Sequence, residues 1–432
     1  MSRPSLLLVT IAVIAAVTAG ATSASRQRQS ATVTLTLWHN YGGNAKATAT
    51  KDLVAAYERL HPDIRINVVS QPPDNYFALL KAAAISGTGP DISNQWTGLY
   101  DLKYEKDLVN LKPYLTARQL ASINGAAYEA PNFDPAQGLL TVPIANAFYI
   151  GFYNKALFKK AGITSIPSTW SELSAACAKL KAIGTTPMEY GLTGSYVLGQ
   201  QFYPWFDASY LMIGAFSPAQ WRGLYSGQIP WTSPKVAAQV SKWAALRRSG
   251  CTNKDVLTQS NTLTALAKGK AAMIVDGDWD LATLEQQMKS NLGVFVPPFS
   301  NHPIRGIVQY PGEGFSVMNY SKHKTEAIAF VKFLLTAQAN KIISKDGLIP
   351  NIKGFQTADR VSNELLSFAA KKGYTPYPML DNVVQPEVVT TGAKELTAAF
   401  AGDVSIQNAL KTMKSTLDGL PANRRGKTYS GG

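Results

Sequence analysis

The sequence predicts an α/β protein whose mainly parallel sheets are covered by helices on both faces. Two observations lead to this fold class: strand patterns alternate with helix patterns, and the same strand–helix unit occurs twice within residues 33–92. Strands that are joined through helices run parallel, and parallel sheets bury both faces. With 432 residues, 46% of them hydrophobic, the chain is long enough for two lobes with a large core.

The first unit begins with alternating apolar and polar residues at 33–37, the pattern of a half-buried strand. Two glycines then permit a tight turn, and Asn44 can cap a helix that ends before Pro62. The next strand is expected at 64–68.

Later elements follow the same pattern, and no repeat of solenoid period is visible. Further strands are predicted at 92, 149–153, 271–275, 293–296 and 314–319, and further helices near 74–86, 170–183, 235–248, 263–268 and 328–335.

The start of the chain has the features of an export signal. Arg3 provides a positive charge, residues 6–21 are apolar, and small residues at 22–24 form a cleavage site. An uncleaved membrane anchor is the alternative, because the apolar run is only slightly short of a spanning helix. No cysteine lies there, so lipid attachment is excluded. We therefore predict a signal peptide at 1–24, a linker at 25–31, export to the periplasm or the cell-envelope exterior, and a flexible basic tail at 424–432.

The net charge of +14 is spread along the chain and forms no block. Nucleic-acid binding requires a basic stripe or a recognised module, and the sequence shows neither. A cationic surface would keep the protein near an anionic envelope or attract an anionic solute. Simple colloidal solubility is the alternative explanation.

Cys177 and Cys251 are the two cysteines of the chain, too few for a disulfide framework or a cysteine metal site. Export permits one bridge between them. Cys177 also lies at helical spacing with apolar residues, which is typical of a buried, unpaired core cysteine. Both alternatives stay open.

Short motifs occur in a fixed order along nearly the whole mature chain. They lie at 37–39, 56–64, 86–92, 153–155, 273–279 (Met-x-x-x-Gly-x-Trp), 312–317 and 347–350. In this order they resemble the extracellular solute-binding proteins of ABC importers, in the carbohydrate group that includes maltose-binding protein.

The resemblance implies a periplasmic-binding-protein-like fold of type II, in which two discontinuous α/β lobes are joined by a hinge around an interlobe cleft. Ligand would lie in the cleft and close the lobes. Lobe 1 is expected at 32–143 plus 299–337, and lobe 2 at 144–298 plus 338–423. The crossings between lobes are expected near 142–148, 296–298 and 336–340.

A sugar site needs planar carboxylates or amides together with aromatic platforms, and ligands of open α/β sheets bind beyond the carboxyl ends of strands. Asn40 and Tyr41 follow the first strand, where the alternative role is merely to form the turn. Gln95 and Trp96 lie at the next strand end. These four residues are the candidates from lobe 1.

Further candidates come from the crossings and from lobe 2. Asn146 and Tyr149 lie at the first crossing, as hinge or cleft residues. Trp205 belongs to an aromatic segment that also carries a carboxylate. Glu313 lies between two glycines and can enter the cleft, with an exposed surface position as the alternative.

Trp279 resembles the family's stacking tryptophan, and Asp278 beside it is expected to accept a ligand hydroxyl. Alternate aspartates at Asp276, Asp278 and Asp280 suggest a calcium loop, but Gln287 stands where the twelfth position requires glutamate. We therefore predict no metal and no cofactor.

The predicted function is that of the extracytoplasmic substrate-binding component of an ABC transporter, a monomer that captures a sugar or oligosaccharide and delivers it to membrane permease subunits. A binder of an anionic solute such as glycerol phosphate is the main alternative, with Arg305 as a basic residue that could reach the cleft. A secreted carbohydrate-active hydrolase is the other. The chain lacks the nucleophile, phosphate-loop and zinc motifs of common enzymes, although two carboxylates would suffice for a glycosidase.

Overall fold

The computed structural model describes residues 32–97, 101, 104–123, 139–192, 203–355, 357, 359–370 and 373–425. Within these residues the chain forms two β-sheets, each packed against helices. The predicted signal peptide and linker lie outside the described residues.

The described strands are numbered in chain order. They are β1 (Val33–His39), β2 (Ile64–Ser70), β3 (Ile92–Trp96), β4 (Val142–Pro143), β5 (Ala147–Asn154), β6 (Thr186–Met188), β7 (Ala271–Gly277), β8 (Leu292–Phe295), β9 (Gly306–Tyr310), β10 (Glu313–Val317) and β11 (Thr375–Tyr377).

The described helices are numbered in the same way. They are α1 (Ala45–Leu60), α2 (Tyr76–Ser86), α3 (Ala117–Ser122), α4 (Lys155–Lys160), α5 (Trp170–Ala182), α6 (Tyr203–Ile213), α7 (Pro218–Tyr225), α8 (Pro234–Arg248), α9 (Thr262–Ala267), α10 (Leu281–Met288), α11 (Lys324–Phe333), α12 (Ala337–Lys345), α13 (Arg360–Ala370), α14 (Leu380–Val383), α15 (Pro386–Ala401) and α16 (Ile406–Asp418).

The first sheet has the strand order β2-β1-β3-β10-β4. β1 pairs parallel with β2 and β3, because α1 and α2 return the chain to the same edge each time. As predicted, Leu35 and Leu37 are buried, and the Asn44 Oδ1 accepts hydrogen bonds from the backbone N–H groups of Lys46 and Ala47, at 2.9 and 3.3 Å. β10 runs antiparallel between β3 and β4.

The second sheet has the order β11-β9-β5-β7-β6, and β8 also pairs with β5. Every residue of β5 is buried. Tyr149 and Tyr153 enter the hydrophobic core on one side of the sheet, while Phe148, Ile150 and Phe152 enter the core on the other side. This burial on both faces explains why β5 is an almost continuous apolar run in the sequence.

The chain passes between the two sheets at places that agree only in part with the predicted crossings. The passage from β4 to β5 falls within the predicted 142–148. β9 pairs with β5 in the second sheet, so the next passage lies at 311–312 and not at 296–298. α12 packs against α1 in the first lobe and so extends lobe 1 beyond residue 337. Apart from these differences the domain limits stay a prediction.

Cys177 on α5 forms a disulfide with Cys251, which follows α8, with the two Cα atoms 5.3 Å apart. The bridge joins segments 74 residues apart, and it decides between the two alternatives that the sequence left open. At the other end of the chain, Arg424 donates a hydrogen bond to Glu387 at 2.7 Å. The predicted tail therefore begins later than residue 424.

In the described part of the chain, none of the helices taken singly has the length and apolar character needed to cross a membrane. α11 and α12 meet these criteria only when taken together, and their axes are bent by 66°. Both helices contribute buried side chains to the core of the first lobe.

Candidate functional site

A cavity that is open to solvent lies between the two lobes. In the first sheet it lies where β1 and β3 end and β10 begins. In the second sheet it lies at the edge where β5 begins and β7 ends. The described residues that line it are Asn40, Tyr41, Asn44, Lys46, Trp96, Ala147, Tyr149, Phe206, Trp279, Gly312, Glu313, Met379, Asp381 and Asn382.

The first lobe presents mainly polar groups to the cavity. Gly42, in a left-handed conformation (φ 59°), turns the chain after β1 and places Asn40 and Tyr41 at the cavity edge. The His39 Nδ1 accepts a hydrogen bond from the Tyr41 N–H at 3.2 Å, and the two rings stack with centroids 5.1 Å apart. Burial raises the pKa of the Tyr41 phenol well above its usual value, so Tyr41 keeps its proton as a hydrogen-bond donor.

An ion pair lies within this polar wall. Lys46, in the first turn of α1, donates from Nζ to the Glu313 Oε1 at 2.6 Å. The Nζ also lies 5.9 Å from the Tyr41 ring centroid and 5.4 Å from the Trp279 ring centroid. Lys46 therefore links groups from both lobes.

The second lobe presents three aromatic rings. The centroids of Tyr149 and Phe206 lie 4.4 Å apart, and the Trp279 ring lies 5.9 Å from Tyr149 and 5.8 Å from Phe206. Trp279 meets both rings edge-on. Together they form an apolar wall that faces the polar one.

A buried carboxyl group lies beside the rings. The Tyr149 hydroxyl donates to both oxygens of Asp381, at 2.9 and 3.0 Å. Burial raises the pKa of Asp381 to about 7, although the hydrogen bond from Tyr149 acts to lower it. The neighbouring Asn382 donates from Nδ2 to the Thr97 carbonyl oxygen at 3.3 Å, a contact that joins the two lobes.

A smaller cavity adjoins the main one and is lined in part by Asn146, Asp278, Trp279 and Glu313. The Asp278 Oδ1 accepts a hydrogen bond from the Phe148 N–H at 3.0 Å. Burial raises the pKa of Asp278 to about 7, although this hydrogen bond and the nearby Lys46 act to lower it.

The structure brings most of the predicted site residues together. Asn40, Tyr41, Trp96, Trp279 and Glu313 line the main cavity. Asn146 and Asp278 line the smaller one beside it. The alternative of an exposed Glu313 does not apply, since only 21% of its side chain is accessible.

Two predicted residues do not reach either cavity, and their prediction was wrong in that respect. Gln95 is fully buried in β3, because successive side chains of a strand point to opposite faces and Trp96 points to the cavity. Trp205 is also fully buried, and its Nε1 donates to the Val389 carbonyl oxygen at 3.0 Å. Arg305 is exposed and lines neither cavity.

Several lining residues were not among the predicted set. The sequence predicts Asn44 only as a helix cap. Phe206 is the neighbour of the predicted Trp205. Met379, Asp381 and Asn382 surround the start of a short helix, α14, where no periodic pattern marks the sequence.

In the described ranges no group of three or more His, Cys, Asp or Glu side chains is arranged to hold a metal ion. Asp276 is instead buried near Asp278, Asp280 is half-buried there, and burial raises the pKa of each.

Comparison with known proteins places this cleft in a family. The sequence model of the bacterial extracellular solute-binding proteins matches residues 42–341. The chain belongs to this family. The predicted family and the predicted fold are thereby confirmed. Proteins of this family are exported to the periplasm or the cell exterior.

Two proteins of similar sequence and one of similar structure can be compared with this solute-binding protein. The multiple sugar-binding protein of Streptococcus mutans is 27% identical over 320 residues, which cover 70% of this chain and 72% of that protein. The sn-glycerol-3-phosphate-binding periplasmic protein of Salmonella paratyphi A is 24% identical over 431 residues, covering 88% and 90%. Among solved structures, a chitin oligosaccharide binding protein has a TM-score of 0.78 at 23% identity and covers 90% of this chain and 98% of its own.

Proposed function

We propose that this solute-binding protein captures a carbohydrate in the cavity between its lobes and delivers it to the permease of an ABC importer. The observation that carries the proposal is the pairing of two unlike walls: the rings of Tyr149, Phe206 and Trp279 face the amides and charges around Asn40 and Lys46. A sugar has apolar C–H faces and a rim of hydroxyls, and so matches both walls.

Six of the predicted contacts that line the cavities have a role in this proposal. Trp279 and Trp96 cover the faces of sugar rings, and Tyr41 and Asn40 exchange hydrogen bonds with hydroxyls. Asp381 adds an acceptor on the opposite wall. Asn146 and Asp278 take part at the inner end, where the smaller cavity adjoins.

The position of the cavity supports capture by closure of the lobes. It lies beside the passages from β4 to β5 and from β9 to β10, and lining residues come from both sheets. A small rotation about these passages would change the distance between the walls, which is how hinged proteins enclose a ligand. The Asn382–Thr97 contact is one that such a rotation would break or form.

Binding without turnover is the proposed mode of action. The relatives described above carry the names of binding proteins and not of enzymes. We further propose that the protein acts as a monomer and that the signal peptide is cleaved before Ser25, which N-terminal sequencing of the secreted protein would check.

An anionic ligand is the second candidate, because one relative of nearly full length is named for binding glycerol phosphate. The charge in the cavity argues against it. Lys46 is the basic residue among the described lining residues, and Glu313 already neutralises it.

Thermal unfolding in the presence of a panel of neutral mono- and oligosaccharides tests the proposal. A sugar at about a hundred times its Kd should stabilise the native state by about 2.7 kcal/mol. Stabilisation by phosphate esters alone would overturn the carbohydrate assignment. Multiple-turnover hydrolysis of a stabilising sugar by pure protein would overturn binding without turnover.

A further inference from the structure

The charge balance of the cavity depends on one ion pair. Lys46 is the basic residue among the described lining residues of the two adjoining cavities, and only 9% of its side chain is accessible. Its Nζ lies within 6 Å of ring centroids from both lobes, at Tyr41 and Trp279. A ligand that fills the space between the walls must therefore come close to this ammonium group.

Glu313 is held in place against that ammonium group by its own backbone. Gly312 has φ 71°, and a Cβ there would lie 2.7 Å from the Ala145 carbonyl oxygen. A Cβ at Gly314 would lie 2.0 Å from the Val142 carbonyl oxygen. The Glu313 carbonyl oxygen also accepts from the Ile144 N–H at 3.0 Å. Because the backbone on both sides is this tightly packed, the Cα of Glu313 is fixed beside Lys46, and the 2.6 Å ion pair holds the carboxylate there.

Among the described residues that line the two cavities, no other basic side chain lies beside Lys46. The first amides of α1 are occupied, since Asn44 accepts from the N–H groups of Lys46 and Ala47. From the second lobe, Asp278 and Asp280 face Lys46, which acts to lower the pKa of each against the effect of burial. With Glu313 in place the surroundings of Lys46 are neutral or negative.

We propose that Glu313 determines the charge of the ligand that this cavity accepts: by holding Lys46 in an ion pair it excludes phosphate esters and leaves the site to uncharged ligands. The inference rests on the proposed function and adds a specificity-determining residue to it. Phosphate binding needs a free cationic donor, and Lys46 becomes one when the carboxylate is removed. A change of one residue thus separates a neutral-ligand site from an anion site.

The Glu313→Gln variant tests this, with sn-glycerol 3-phosphate and glucose 6-phosphate compared with glycerol and glucose by isothermal titration calorimetry. The wild type should bind either ester far more weakly than it binds the stabilising sugar. The variant should gain about tenfold to a hundredfold in affinity for an ester, the range of one hydrogen bond to a charged group. The gain should disappear in about 1 M salt, where the Debye length is about 3 Å.

Two matched variants identify the group that is responsible for the gain in ester affinity. Glu313→Asp keeps the negative charge and should still exclude the esters. The double variant Lys46→Met/Glu313→Gln removes the pair entirely and should lose the gain. If Glu313→Gln fails to fold, Glu313→Met removes the same charge with a side chain of similar length.

A folded, charge-removed variant with no greater ester affinity than the wild type would overturn the proposal, and so would a wild type that binds an ester as tightly as any neutral sugar. Persistence of the gain in the double variant would overturn the role of Lys46. Gain of ester binding by a protein whose wild type binds no sugar of the panel would support the role of Glu313 while contradicting the carbohydrate assignment.

Discussion

Two tryptophans of the second lobe, each with an aspartate nearby in the sequence, have different environments. Trp205 stands one residue from Phe206 on α6 and is fully buried against α15, where Gly392 allows the ring to approach: a Cβ there would lie 2.4 Å from the Trp205 Cζ2. Trp279 follows the end of β7 and lines the cavity. The difference shows that the end of a strand places a ring in the cleft, whereas a helix distributes consecutive rings over different surfaces.

The same contrast holds for two buried acids. Asp207 lies in the core, where its Oδ2 accepts from the Trp243 Nε1 at 2.8 Å. Asp381 lies at the cavity and accepts from Tyr149. Burial raises the pKa of both to about 7. We therefore expect the core pair, Trp205 and Asp207, to govern stability and the cavity pair, Trp279 and Asp381, to govern ligand affinity.

The largest expected effect is that of Trp205→Ala. Removing a fully buried tryptophan should lower the free energy of unfolding by about 3–5 kcal/mol, because the lost contacts and the cavity that remains both destabilise the fold. Urea denaturation measures this change. Ligand affinity of the folded fraction should stay the same, and the matched variant Trp205→Phe should lose less stability. A loss of affinity in a fully folded Trp205→Phe would place Trp205 in the site after all.

Trp279→Ala should act in the opposite way. Its ring covers part of the cavity wall, so truncation should weaken binding of the stabilising sugar by about 1–3 kcal/mol, the range for an aromatic contact residue. Calorimetric titration measures the affinity, and Trp279→Phe, which keeps a ring, should retain part of it. Unchanged affinity together with a large loss of stability would assign Trp279 to the core and remove the contrast with Trp205.

The sequence was sufficient for the elements that have a regular pattern. β1, the cap at Asn44 and the ends of β3 and β7 follow from alternation, capping residues and glycines, and four of the candidates at these strand ends, Asn40, Tyr41, Trp96 and Trp279, reach the cavity. Alternation along a strand shows that successive side chains face opposite sides of the sheet, but it does not show which side faces the cavity.

The rest depends on contacts distant in sequence. Whether Trp205 or its neighbour Phe206 faces the cavity is decided by α15, which lies nearly two hundred residues later in the chain and was not predicted. Gln95 and Trp96 differ only in which face of β3 they occupy, and the register with β10 that fixes this is not visible in the sequence. Asp381 lies on α14, shortly after the three-residue strand β11, and neither element was predicted, so no local signal identified it.

The smallest expected effect concerns the pH dependence of binding. Because the Tyr149 hydroxyl already donates to Asp381, the ionised carboxylate, with about four lone-pair positions, is the form that can also accept from a ligand hydroxyl. Affinity should therefore rise with pH, by about tenfold between about pH 6 and about pH 8 for a pKa of about 7, and then level off. Asp381→Asn should remove the contribution of Asp381 to this dependence in calorimetric titrations and leave that of Asp278, whose pKa burial also raises to about 7.

Asp207→Asn is the matched control, because Asp207 has a similar pKa and no place in the cavity. Its raised pKa means that the folded state retains a proton that the unfolded state releases, so its contribution to stability decreases as the pH rises from about 4 to about 7. Asp207→Asn should flatten that fall in stability and leave the pH dependence of affinity intact. If Asp207→Asn abolished the pH dependence of affinity and Asp381→Asn did not, the core and the cavity would be coupled. The assignment of stability to the core pair and of ligand affinity to the cavity pair would then be wrong.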